Sequence, residues 1–128
     1  MTFSADPLQA IFPQAMEYHI GKVAEGIYDA SSAAFGKVNL NYLEEIVGKF
    51  RAALEGRDEL PANEVLQYKF KEIEHPFARL KAFFAGEASA FTSADAEVFA
   101  FYLGHKLEEL RELAIEIDEE YEDVKSVK

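Results

Sequence analysis

The sequence predicts an all-α protein, an antiparallel four-helix bundle with a long C-terminal helix. Apolar residues recur every three or four positions in four separate stretches, which is the spacing of one face of an α-helix. Short polar segments near 36–41, 56–62 and 86–92 separate these stretches, and short connections make successive helices antiparallel neighbours. No stretch alternates apolar and polar residues between turn residues, so we expect no β-strand.

The first helix is expected over about 13–35. Asp6 and Pro7 are typical of an N-cap and a first helical position, and they predict a short turn before Pro13 interrupts the backbone hydrogen bonding. The apolar face that follows consists of Met16, Ile20, Val23, Ile27, Ala30 and Ala34. Gly36 is the predicted stop, because glycine readily adopts the left-handed conformation in which many helices end.

The second helix is expected over about 42–55. Asn41 followed by Glu44 resembles a capping box, with asparagine in place of serine or threonine. The apolar face consists of Leu43, Ile46, Val47, Phe50, Ala53 and Leu54. Gly56 is the predicted stop, and a polar loop follows it.

The third helix is expected over about 62–85, ending before Gly86. Its apolar face consists of Leu66, Phe70, Ile73, Phe77, Leu80 and Phe84. This pattern stays in phase across Pro76, which predicts one helix with a kink rather than two helices. The alternative is a break at His75.

The fourth helix is expected over about 93–123. Thr92 or Ser93 with Asp95 predicts its start, since these residues accept hydrogen bonds from free N–H groups. An unbroken heptad pattern forms its apolar face: Ala96, Ala100, Leu103, Leu107, Leu110, Ala114, Ile117, Tyr121 and Val124. This helix would be roughly 45 Å long against roughly 20 Å for the second. Other helices, a second subunit or fraying must account for the excess.

We expect a single domain over 1–128, with an N-terminal segment over 1–12 and an acidic C-terminal end over 108–128. The predicted core joins residues from three of the four helices. Its members are Ile20, Val23, Ile27, Phe70, Phe77, Leu103, Leu107 and Leu110.

The net charge is −11, from 24 acidic and 13 basic residues. Nine acids and a single base lie between residues 108 and 123, so the acidity belongs largely to the end of the last helix. Such a surface repels nucleic acids and anionic membranes, so we expect neither as a partner. The chain has no cysteine, no apolar run of roughly 20 residues and no basic residue in its first ten. These features favour a cytoplasmic protein.

Glu72 and His75 form the only Glu-x-x-His motif, the pair that di-metal bundles use twice. Because a second motif is missing, we interpret them as a solvated polar face and expect no metal and no cofactor. His19 lies on an apolar face and is expected to be a core histidine with satisfied ring nitrogens. A haem held by His19 and His105 is the alternative. Gly21, Gly26, Gly48 and Gly104 lie inside predicted helices, which favours close helix packing over room for a ligand.

No phosphate-binding loop and no nucleophile motif is present. We therefore predict a non-enzymatic helical protein-interaction or structural module that forms a homo-oligomer, most simply a homodimer, or binds another protein. The predicted interaction residues are Leu110, Glu116, Ile117, Glu120, Tyr121 and Val124. Two alternatives remain open: a metal- or tetrapyrrole-binding bundle, and an acidic inhibitor that mimics a nucleic acid.

Overall fold

A computed structural model describes the backbone of residues 7–55, 64–86 and 92–126, and their side chains except at 64–66 and 120–126. It confirms the predicted fold class, since these residues form helices and no strand. The helices are α1 (Met16–Tyr28), α2 (Ala33–Glu55), α3 (Glu64–Phe84) and α4 (Ser93–Ser126), with 3-10 turns at Leu8–Ile11 and Ala30–Ser32. The predicted loop over 56–62, and that over 86–92 except for its two ends, lie outside the described residues.

Contacts between helices show that successive helices run in opposite directions. Lys69, near the start of α3, pairs with Glu109 in the middle of α4. Farther along α3, His75 packs against Phe99 near the start of α4, with ring centroids 5.6 Å apart. Helix α1 packs against both α2 and α4, which closes the four helices into a bundle.

The first helix ends earlier, and the second begins earlier, than the sequence predicted. α1 ends at Tyr28 and α2 begins at Ala33, so the helix expected over 13–35 and the loop expected over 36–41 are both wrong. Asn41, the predicted cap, lies inside α2. With 23 residues, α2 is roughly 35 Å long. The length mismatch with α4 is therefore smaller than expected.

Asp29 explains the break between α1 and α2. Its carboxylate accepts hydrogen bonds from the Ser31 amide at 3.0 Å, the Ser31 hydroxyl at 2.8 Å and the Ser32 hydroxyl at 3.2 Å. Such local bonds offer the backbone an alternative to helical hydrogen bonding. The side-chain hydrogen bond from Ser31 is the main cause of the lowered pKa of Asp29.

Gly36, the predicted stop of the first helix, is instead buried within α2 at its closest approach to α1. A Cβ added to Gly26 would lie 3.1 Å from the Cα of Gly36 and 3.3 Å from the Phe84 ring. Real Cβ atoms are rarely so close to other groups, so both glycines permit this backbone contact.

The other helical glycines differ in their surroundings. A Cβ added to Gly104 would lie 3.4 Å from the Ile20 side chain, at a close approach of α4 to α1. At Gly21 and Gly48 an added Cβ would meet nothing within 4 Å, so close packing does not explain these two. The expected reason for the helical glycines is therefore confirmed at Gly26, whereas an added Cβ at Gly104 would make only ordinary van der Waals contact.

Helix α3 passes through Pro76 without ending, as the unbroken apolar pattern predicted. It ends at Phe84, and Gly86 then adopts a φ of +75°. The Gly86 amide donates to the Phe83 carbonyl at 3.1 Å, which satisfies one of the last carbonyls of the helix.

A reciprocal hydrogen-bond pair at Thr92 and Asp95 starts α4, as predicted. The Asp95 amide donates to the Thr92 hydroxyl at 3.2 Å, and the Thr92 amide donates to the Asp95 carboxylate at 2.9 Å. All eight predicted core residues are buried in one apolar cluster shared by the four helices. No helix among the described residues combines the length and apolar character that crossing a bilayer requires.

The N-terminal 3-10 turn covers the second half of α4. The Leu8 amide donates to one carboxylate oxygen of Asp118 at 2.8 Å, and the Gln9 amide donates to the other at 3.0 Å. Leu8 and Phe12 are buried, and the Phe12 ring packs edge-on against Phe50 at 5.2 Å. The sequence predicted other helices, a second subunit or fraying for the excess length of α4. Residues 8–11 of the same chain contact this part of α4 instead.

Candidate interaction surface

Four large apolar side chains are exposed next to one another on α1 and α2. Their exposed fractions are 51% for Tyr18, 53% for Phe35, 62% for Val38 and 38% for Tyr42. Phe35, Val38 and Tyr42 follow at intervals of three and four residues, so they share one side of α2. We call these four side chains the α1–α2 patch.

His19 and Lys22 of α1 join the patch into a continuous surface. The ring centroid of His19 lies 5.3 Å from that of Tyr18 and 4.7 Å from that of Tyr42. The Lys22 ammonium lies 5.3 Å from the Tyr18 ring centroid and 5.8 Å from the Phe35 ring centroid. Since a cation is attracted to the face of an aromatic ring, Lys22 bridges the two rings.

His19 is oriented by Asn39, the buried polar residue beneath the patch. The Asn39 side-chain amide donates to the Phe35 carbonyl at 2.9 Å, which turns its oxygen toward His19. Nδ1 of His19 lies 2.7 Å from that oxygen and is therefore the nitrogen that carries hydrogen. The expectation of a core histidine with both ring nitrogens satisfied is thus met in part: Nδ1 is bonded to Asn39, and the His19 side chain is partly exposed.

The charges around the α1–α2 patch are nearly balanced. Lys22 pairs with Glu25 of the same helix at 3.1 Å. Glu45 and Lys49 are exposed three and seven residues after Tyr42, on the same side of α2. This face therefore lacks the acidic excess that gives the chain its charge of −11.

The junction of α3 and α4 has the opposite character, because charged side chains cover it. Glu109 accepts a hydrogen bond from Lys69 at 2.9 Å, and Lys106 donates to Glu72 at 3.2 Å and to Glu109 at 3.4 Å. The bond from Lys69 is the main cause of the lowered pKa of Glu109. Burial opposes the charge on Lys106, but Glu72 and Glu109 outweigh it and raise the pKa of Lys106.

The two candidate metal ligands do not converge on a common site. Glu72 is bonded to Lys106, whereas His75 is exposed and packs against Phe99. Within the described ranges, no three histidine, aspartate or glutamate side chains lie close enough to hold a metal ion. His19 and His105, the proposed haem ligands, face different neighbours: His19 bonds to Asn39 of α2, and His105 lines a groove between α1 and α4.

The predicted interaction residues are divided between core and surface. Leu110 and Ile117 are buried within the chain itself, so they present no free surface to a partner. Their burial differs from the expectation that they lie at an interface, and part of the cover near Ile117 comes from the N-terminal 3-10 turn, which is bonded to Asp118. Glu116 is exposed. The side chains of Glu120, Tyr121 and Val124 lie outside the described residues.

A second apolar surface lies between α1 and α4. A groove of about 270 Å³ is lined by Met16, Glu17, Ile20, Phe101, Gly104, His105 and Glu108. Phe101 is 54% exposed, and Val98, one turn before it, is 66% exposed. We call this feature the α1–α4 groove.

No protein-family model matches the chain, and no curated protein or solved structure is significantly similar to it. The two apolar surfaces are the features that bear on function. Sequence reasoning missed the α1–α2 patch because it ended the first helix at residue 35 and placed Val38 in a loop. The available signal was a set of large apolar residues outside the buried faces, at helical spacing across Phe35, Val38 and Tyr42.

Proposed function

We propose that the protein is a helical interaction module that forms a two-fold symmetric dimer through the α1–α2 patch. The observation that supports this function is the exposure of four large apolar side chains on one continuous surface of a bundle whose core is otherwise well covered. Scattered single apolar residues on a surface need no explanation, whereas the largest contiguous patch of a protein is often functional.

The size of the patch suits the centre of a protein–protein interface. An aromatic side chain can bury roughly 150–250 Å², so four residues exposed by about half present roughly 300–500 Å² per copy. That area is near the largest apolar patch, about 300–600 Å², that monomeric proteins usually leave in water. It also leaves space for a polar rim within the roughly 800 Å² that each partner contributes to a standard interface.

Electrostatics favour this face over the acidic face of α4 for association with a second copy of this chain. Two chains with a charge of −11 repel each other, and the repulsion is weakest where the docked surfaces carry no acidic excess. The charged residues beside the α1–α2 patch are Lys22 and Glu25, which pair on α1, and Glu45 and Lys49 on α2, so the two signs balance. Screening by salt should strengthen the dimer, because the remaining long-range repulsion is then reduced.

Sedimentation of the wild type and of two matched variants tests the proposal. Val38→Glu adds a charge to the middle of the patch, where docking would bury it, and should weaken the dimer by more than about tenfold. Val98→Glu makes the same change at an equally exposed position on α4 and should leave the dimer intact. Both positions are exposed and helical, so neither change should unfold the chain.

Two results would contradict the proposal. One is a wild-type protein that stays monomeric at both low and high salt at concentrations of roughly tens of micromolar. An interface of standard size should give a dimer at that concentration. The other is a dimer that dissociates equally in both variants.

A further inference from the structure

We propose that the α1–α4 groove and the acidic surface beside it bind a basic amphipathic helix of another protein. This inference concerns a face other than the proposed dimer interface, and it does not depend on dimer formation. Its occupant is identified by two properties of the face: an apolar groove at one end and an excess of negative charge at the other.

The groove suits side chains of a peptide better than a small-molecule ligand. At about 270 Å³ it is smaller than most ligand pockets, which measure roughly 300–1,000 Å³. Its apolar lining comes from Met16 and Ile20 on α1 and from Phe101 on α4. Gly104 also lines the groove, and because it has no side chain it adds no bulk there. One or two apolar anchors of a helix therefore fit here.

The outer face of α4 changes from apolar to acidic along its length. Val98, Phe101 and His105 follow one another at helical spacing opposite the buried face. The same face continues through Glu108, Glu112, Glu116 and Glu119. From Val98 to Glu116 this surface is roughly 27 Å long, at 1.5 Å per residue, which matches a partner helix of about 18 residues.

The acids of this face are available to a basic partner. Glu108 has one weak contact, 3.5 Å from Arg111 on the same helix. In the described part of the chain, neither Glu112 nor Glu116 lies within ion-pair distance of a lysine or arginine. Glu17 adds a further carboxylate at the edge of the groove. A second copy, with its charge of −11, would be repelled here, whereas lysine and arginine side chains would be attracted.

The probe is a synthetic helical peptide of about 18 residues, the length that matches this surface. One half of the peptide carries leucines along one face, to enter the groove, and the other half carries lysines and arginines, to pair with the acidic face. A peptide of the same pattern with glutamates in place of the basic residues is the charge control. Binding to the full-length protein is followed by fluorescence anisotropy at low and at moderate ionic strength. We expect the basic peptide to bind with an affinity that decreases as salt is added, and the acidic peptide not to bind.

Two pairs of charge reversals locate the site. Glu112→Lys with Glu116→Lys should weaken binding of the basic peptide about tenfold, which corresponds to roughly 1.4 kcal/mol. Glu45→Lys with Glu55→Lys changes the net charge equally on exposed positions of α2 and should have little effect. Phe101→Gln tests the apolar part and should also weaken binding, whereas Val38→Glu, which tests the dimer interface, should not.

Three outcomes would overturn the inference. The first is equal weakening by the two pairs of charge reversals, which would indicate a response to net charge only. The second is equal binding of the basic and acidic peptides, which would indicate apolar adhesion without charge recognition. The third is unchanged affinity in Phe101→Gln. Circular dichroism of each variant confirms that the helical fold is retained, so that lost binding is assigned to the surface.

Discussion

The α1–α2 pair and the α3–α4 pair are joined by different physical means. At Gly26 and Gly36, α1 and α2 meet backbone to backbone. Between α3 and α4, Lys69, Lys106 and Glu109 form an ion-pair network over the junction. No ion pair joins α1 to α2 among the described residues; the His19–Asn39 hydrogen bond links them instead.

This difference accounts for the surfaces that the two pairs present. Long charged side chains cover apolar atoms with their methylene groups and keep their charges in water. Where they cross from one helix to the next, as at Lys106, the surface of the junction is polar. At the α1–α2 contact, Lys22 lies over the Tyr18 and Phe35 rings, but among the described residues it has no carboxylate partner on α2. Both rings remain about half exposed.

Replacing Gly26, the glycine of α1 that contacts α2, should change the free energy of unfolding more than removing a charge from the ion-pair network between α3 and α4. Gly26→Ala adds a methyl group 3.1 Å from the backbone of α2, which cannot move without shifting the helix. Gly21→Ala, five residues earlier in α1, adds the same group where nothing lies within 4 Å. Both variants gain the same helix propensity, roughly 0.8–1 kcal/mol. The difference in their free energies of unfolding therefore measures the steric cost, which we expect to be about 1–3 kcal/mol.

Urea denaturation of the two variants and the wild type provides the measurement. Gly21→Ala should be more stable than the wild type, and Gly26→Ala should be less stable than Gly21→Ala by the amount above. Equal stabilisation by both substitutions would mean that the helices separate at little cost, and that backbone contact does not hold this pair together.

The glycines also show how far the sequence could predict the fold. Four apolar faces identified four helices. The spacing of buried residues within a helix depends on the helical repeat and not on the loops that connect the helices. Gly36 and Gly86 look alike locally, yet Gly86 ends α3 with a φ of +75° while Gly36 lies buried in the middle of a helix contact. The feature that distinguishes them is Gly26, ten residues before Gly36 in sequence but adjacent in space. A local pattern contains no such information.

The candidate surfaces were harder to predict than the core, for a related reason. Exposure of Phe35 and Val38 depends on where α2 begins, and the bonds of Asp29 with Ser31 and Ser32 determine that start. The sequence predicts an interface at Ile117 because the predicted neighbouring helices are too short to cover α4 in full. The segment that covers this region is not a helix face but a short N-terminal turn held by Asp118.

Removing one charge from the α3–α4 network should have a smaller effect than the glycine change. Glu109→Gln keeps the size of the side chain but leaves Lys69 and Lys106 without their shared carboxylate. We expect a loss of about 0.5–1 kcal/mol, because these side chains are partly exposed and water screens the interaction. Glu25→Gln is the matched control. Its partner Lys22 lies three residues earlier on the same helix and both side chains are partly exposed, so the loss should be about a few tenths of a kcal/mol.

Urea denaturation at low and high salt separates these two variants. The effect of Glu109→Gln should shrink as salt is added, since screening weakens the pair that it removes. An effect of Glu25→Gln as large as that of Glu109→Gln would show that the network between α3 and α4 contributes no more than an isolated pair within one helix.

Lowering the pH should produce the smallest change in stability. It should affect the ion-pair contact between α3 and α4 but not the glycine contact between α1 and α2. The pKa of Glu109 is lowered in the folded protein, mainly by the hydrogen bond from Lys69. A group with a lowered folded-state pKa stabilises the protein above its unfolded-state pKa, about 4.3 for glutamate, and loses that contribution as the pH falls through the folded-state value. The stability difference between wild type and Glu109→Gln should therefore be constant from pH 7 to about 5 and decrease below that.

The difference between Gly26→Ala and Gly21→Ala should not change over the same range. The atoms that an added methyl group meets at Gly26 belong to Gly36, Ser32 and Phe84, and none of these residues titrates there. A pH-dependent glycine difference, or a pH-independent Glu109 difference, would show that the two pairs are not held together in the different ways described above.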